Sequence, residues 1–224
     1  MTTFAEIRTK VSTDLRDVDG KFFDAGVIGD MVNAALTEVG RIAPERFQED
    51  ITPVADTLRY VVRSDIAGGV TPEIELTTCE IWDGSTVPAT RTAHLQPLSA
   101  QPVNDTQNGW RMWGGYLELP VSVVTQLVPA TDLIRVWGYA PYPVLVNDAD
   151  VLATSSELTQ AVRDYCTIEG LKRLTAGRAV FTQWQTRTNN TDISPAMLVN
   201  DLAQAESNWK TKARAIYVIR EAPG

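Results

Sequence analysis

Apolar residues return every three or four positions at the head of the chain. Phe4, Ile7, Val11 and Leu15 form one stripe, the pattern of an amphipathic helix with a single buried face. Thr3 and Glu6 stand where a threonine hydroxyl can accept the N3 amide while the glutamate reaches back to the cap's own N–H. Asp17-Val18-Asp19-Gly20 breaks this period, and Ile28, Met31, Ala35, Val39 and Ile42 carry a second stripe from Asp24 to Pro44. Two short helices joined by a glycine-containing loop predict an antiparallel hairpin, which alone buries too little to be stable.

From Asp50 to about Val146 the period shortens towards two. Leu58 to Val62, Ile74 to Leu76, Cys79 to Trp82, Tyr116 to Leu119 and Leu133 to Trp137 are short branched or aromatic runs, bounded by turn signals such as Ala67-Gly68-Gly69, Asp83-Gly84-Ser85, Asn108-Gly109 and Gly114-Gly115. Pro72, Pro88, Pro97, Pro102, Pro120 and Pro129 fall between runs, as ladder hydrogen bonding requires. Trp82, Trp110, Trp113 and Trp137 lie in this stretch and are expected to fill its core.

Helical spacing then resumes. Thr154-Ser155-Ser156-Glu157 is a second capping-box pattern ahead of Leu158, Ala161, Val162, Tyr165, Cys166 and Ile168, in a helix expected to continue past Gly177 towards Trp184. Ser194-Pro195 starts a fourth helix with Leu198, Leu202, Ala205, Trp209, Ala213 and Ile216 as its stripe. The pattern predicts an α+β chain: a small helical bundle of about four helices with an inserted antiparallel β-rich domain. Residues 1–49 would be an N-terminal helical hairpin, 50–146 the β domain, 147–208 the helices completing the bundle, and 209–224 a helix end and tail.

Composition narrows the chemistry. With 224 residues, 44% of them apolar, the chain can bury one sizeable core or two modest ones. A net charge of −8 disfavours a nucleic-acid-binding or acidic-membrane-binding surface. Cys79 and Cys166 give neither a disulfide framework nor a metal-ligand spacing, and the chain reads as soluble and unexported, with no membrane segment. His94 is the only histidine, which excludes histidine triads and multi-histidine metal sites. No phosphate-binding glycine loop occurs, and the closest acidic pair, Asp148 and Asp150, precedes a capped helix, where it reads as structural. No catalytic, cofactor-binding or metal-binding residue is assigned, and the chain is read as a structural protein rather than an enzyme.

Charge is distributed unevenly. Lys210, Lys212, Arg214 and Arg220 face one acid, Glu221, beyond Trp209. They read either as a solvated helix end complementing its dipole, or as a docking tail with Ile216, Tyr217 and Ile219 as apolar anchors. Lys172, Arg173 and Arg178 form a second basic cluster, which reads first as a plain exposed face and second as a subunit contact.

The order of these parts resembles the head-to-tail adaptor (head completion or connector) proteins of tailed bacteriophages. Asp24 to Leu36 looks like that family's second helix and Ile42 to Phe47 its exit, Glu80-Ile81-Trp82-Asp83-Gly84 and Trp110 to Leu119 look like its hairpins, and Leu133 to Tyr139 like its last strand before a proline-containing link. The resemblance spans nearly the whole chain. It implies a ring of about a dozen copies between the portal protein and a tail-side connector or tail protein, passing DNA without reading its sequence. It places the chain in the virion neck, and in the host cytoplasm during assembly. It also implies that Lys210, Lys212, Arg214, Ile216, Tyr217, Ile219 and Arg220 dock on the portal. The alternative is a tail or baseplate accessory module whose aromatic β domain binds a carbohydrate or peptide, which requires several tryptophans exposed in a row.

Overall fold

The computed structural model describes residues 2–63, 74–98, 108–152 and 156–221, with side chains to residue 214. The turn expected at Ala67-Gly68-Gly69, Pro72, Pro102 and the capping residues Thr154 and Ser155 lie outside the described residues. In chain order the elements are β1 (Thr2–Thr3), α1 (Phe4–Asp14), α2 (Ala25–Ile42), β2 (Glu45–Ile51), β3 (Arg59–Val61), β4 (Glu75–Asp83) and β5 (Thr90–Pro97). They continue with β6 (Gly109–Trp113), β7 (Tyr116–Glu118), α3 (Val121–Val124), β8 (Asp132–Ala140), β9 (Val151–Leu152), α4 (Ser156–Thr175), α5 (Arg178–Thr188) and α6 (Pro195–Glu221). The chain divides into two compact units, Met1–Ala43 with Val144–Gly224, and Pro44–Pro143.

The first unit is helical, and its local signals agree with its packing. Thr3 and Glu6 form the reciprocal capping box of α1, and Asp24 caps α2 by accepting the Val27 N–H at 2.9 Å. The chain between them turns on Asp17, which is 2% exposed and accepts N–H bonds from Lys21, Phe22 and Phe23 at 2.9, 3.0 and 2.6 Å. Helix α4 is the hub, packing on α1, α2, α5 and α6. Its Gly170 sits against Leu15, so a Cβ there would lie 2.4 Å from a leucine methyl and displace that buried side chain. Arg163 of α4 also holds Asp14 through its guanidinium at 2.9 Å.

The second unit is a curled, seven-stranded mixed sheet in the order β2-β8-β4-β5-β6-β7-β3. Strand β8 alternates as the period-two pattern demands: Ile134, Val136, Gly138 and Ala140 are buried, while Leu133, Arg135, Trp137 and Tyr139 are half-buried on the opposite face. Cys79 and Ile81 of β4, Leu95 of β5 and Leu117 of β7 complete the core on that first face.

Several expectations are corrected. A small bundle of about four helices with an antiparallel β insertion understates the sheet and its mixture of directions: the described residues hold six helices and nine strands, and β5 pairs with β6 in parallel through Gln96↔Gly109 and Pro97↔Trp110. Two strands escape the period-two reading because their sequences are polar, Glu45-Arg46-Phe47-Gln48-Glu49-Asp50 and Thr90 to Pro97, each with one buried residue, Phe47 or Leu95. The helix expected to pass Gly177 stops at Thr175, and Gly177 becomes the N-cap of α5. The tryptophans do not fill the β core together, because only Trp110 projects inward at 5% exposure while Trp113 is 53% exposed.

Candidate functional site

The basic residues beyond Trp209 do not converge. Lys210 and Arg214 are exposed on α6, whereas the Lys212 ammonium is bound to the Asp164 carboxylate of α4. Ile216, Tyr217, Ile219 and Arg220 belong to the helical backbone of α6, and their side chains lie outside those described. The apolar stripe of α6 is more informative. Leu198 is buried, and Leu202, Ala205, Trp209 and Ala213 are largely but not fully covered, as α6 packs along α4 and Trp209 meets the Tyr165 ring edge-on at 5.4 Å. The stripe keeps some apolar area in contact with solvent.

A second polar constellation, not foreseen from the sequence, lies on the sheet. The registers β2–β8, β8–β4 and β4–β5 align Asp50, Arg135, Glu80 and His94 in one row across four strands. Arg135 grips Asp50 through two bonds of 2.6 and 2.8 Å and stacks on Trp82 at 4.2 Å from the ring centroid. Glu80 is 5% exposed and accepts from the Trp82 indole N–H at 2.9 Å and from Arg91 at 2.8 Å, with His94 Nδ1 at 3.1 Å. Burial pushes the Glu80 carboxyl up, but the bonds from Arg91, His94 and Trp82 outweigh it and hold the group below its ordinary 4.5. Alternating signs in adjacent strands are cross-strand pairing, which rigidifies a sheet.

This constellation gives a pH prediction. A carboxyl depressed in the fold contributes stability that is complete above its unfolded value and is lost as pH falls through the folded one. Glu80→Gln is therefore expected to flatten the acid limb of the stability curve below the ordinary carboxylate value of 4.5 while lowering stability at neutral pH. Urea titrations of both proteins across that range check it, and identical acid limbs would contradict it.

The remaining sequence candidates have structural partners. Asp150 accepts the Val146 and Asn147 N–H groups at 2.7 and 2.8 Å, which hold it below its ordinary range, and Asp148 binds Arg8. Burial pushes the thiols of Cys79 and Cys166 up to about 12, a range in which thiolate chemistry is suppressed. Trp82 and Trp137 share the outer face of the sheet, but the register sets Trp137 opposite Thr78, four residues from Trp82. Their separation is about 13 Å along the strand, too wide for one stacking platform. Trp113 is on β6, where Arg111 stacks at 5.0 Å from its ring centroid. Among the described residues no group of three or more His, Cys, Asp or Glu side chains is placed to hold a metal ion, and no helix is long and apolar enough to cross a membrane.

Comparison with known proteins adds no family: no protein-family model matches the chain, and none of the curated proteins is significantly similar to it.

Proposed function

We propose that the chain is a non-catalytic virion protein, a head-to-tail adaptor whose copies form a ring of about twelve between portal and tail and extend the DNA channel. The observation that carries this reading is the incompletely covered stripe of α6. That helix has 27 residues, about 40 Å of length, yet over its described side chains only Leu198 is buried. Leu202, Ala205, Trp209 and Ala213 supply apolar area that a second chain can cover, and Lys210 and Arg214 beside them suit an acidic rim. The net charge of −8 supports a channel protein, because a wall that bound phosphate tightly would retard the genome. The ring contacts the portal on one side and a tail-side connector or tail protein on the other. It works in the virion neck, after assembly in the host cytoplasm.

Trp209 is the largest side chain on the stripe, so Trp209→Ala is expected to weaken binding to the portal of the same genome by about tenfold or more. Sedimentation of portal with wild-type or variant chain measures this, with helical circular dichroism as the folding control. Equal affinities would move the docking surface off α6. The spacing of Trp82, Trp113 and Trp137 gives no support to the carbohydrate- or peptide-binding module.

A further inference from the structure

One stretch of the helical unit departs from the acidic balance of the chain. From Gly170 to Thr191 the sequence carries Lys172, Arg173, Arg178 and Arg187 and no carboxylate. All four are exposed, Lys172 with its ammonium 3.0 Å from Glu169. Beside Arg178, between the end of α4, α5 and the first turn of α6, opens a groove of 670 Å³. Leu174, Phe181, Ile193 and Leu198 give it an apolar floor, and Arg178 and Val199 stand at its edge.

The complementary chemistry is on the same unit but elsewhere. In the stretch leading into α4, Val144, Val146 and Val151 are 66, 72 and 43% exposed, and the Asp148 side chain, although bound to Arg8, is 72% exposed. The backbone there is fixed rather than loose. Asn33 bonds both the N–H and the carbonyl of Leu145, at 2.9 and 3.0 Å, and Asp150 ties the two following amides. Three valines are thus held outward around an acid, ready to bind without an ordering cost. This segment precedes α4 and the groove follows its last turn. The 20 residues between them span about 30 Å of helix, so a copy cannot fill its own groove.

We infer that the groove takes the Val144–Val151 segment of a second copy of the chain, with the valines on its apolar floor and Asp148 towards the Arg178 edge. The contact is heterologous, segment into groove, and repeats from copy to copy, so it closes into a ring when the rotation permits. It rests on the assembly reading above and supplies that reading with a copy-to-copy junction.

The test uses two exposed positions, Val146→Glu on the segment and Val199→Glu at the groove, in the full chain. Each is expected to weaken self-association by about tenfold or more with unchanged helical circular dichroism. Mixed together, they are expected to form a one-to-one complex that grows no further, because V199E offers an intact segment and V146E an intact groove. A wild-type chain monomeric at about 1 mM, variants that associate like wild type, or a mixture that fails to pair would each overturn the junction. Portal binding on the same samples separates the two ideas: a portal complex alongside any of those results sinks the junction alone, and no portal complex sinks the assembly reading.

Discussion

Replacing Asp17 with alanine is expected to lower the stability of the helical unit by about 3 kcal/mol, because its carboxylate is the acceptor for three backbone amides in the turn between α1 and α2. Lys21 is exposed and recovers water, but the amides of Phe22 and Phe23 lie in a part-buried turn whose Phe23 ring is 2% exposed. Each buried donor left unpaired costs about 1–3 kcal/mol. Asp17→Asn keeps one acceptor oxygen and is expected to fall between the two. Urea unfolding followed by helical circular dichroism ranks the three proteins, and an alanine variant as stable as wild type would mean that water replaces the carboxylate.

Gly138→Ala is expected to destabilise the β unit by a similar amount, about 3 kcal/mol. Propensity alone predicts the opposite sign, since glycine inside a strand is worse than alanine by up to about 1 kcal/mol. Sterics decide it. A Cβ on Gly138 would lie 2.3 Å from the Glu75 carbonyl oxygen and 3.1 Å from the Leu76 Cα, both backbone atoms of the neighbouring strand that cannot rotate away. The register of β4 on β8 shifts just beyond, between Leu76 and Thr78, so the close approach sits beside the bulge. Amide exchange across β8 locates the effect, and protection in G138A matching wild type would contradict it.

These two residues also mark how much was legible in advance. Asp17 and Gly138 both stand out in the sequence, one in a loop and one inside an apolar run, and each signals a local event. Gly138 meets Glu75 and Leu76, far away in the chain, which no spacing rule gives, whereas the three donors of Asp17 are local and only the turn's conformation turns them onto it. Helices α1 and α2 could be read because caps and stripes are local: Thr3 with Glu6, Asp24 with Val27. Strands β2 and β5 could not, since alternation needs two buried positions to register and each strand has one. The row from Asp50 to His94 was equally hidden, because its members come from four strands whose register only the fold sets. Composition singles out the tail residues but carries no sign that Asp164 claims Lys212.

Physically, the chain invests its polar side chains in holding its own backbone and sheet. Glu80, Asp17 and Asp150 all take several donors. Its exposed apolar side chains lie on both units, among them Val144, Val146, Val151 and Val199 on the helical one and Val54, Val87, Trp113 and Val128 on the β one. Such a division suits a protein that works by contact with other chains.

Electron microscopy of the chain mixed with the portal of the same genome tests that claim most directly. The expected result is a collar of about twelve copies, coaxial with the portal and continuous with its channel. Portal particles without added density, in a mixture where the chain remains a folded monomer, would contradict it.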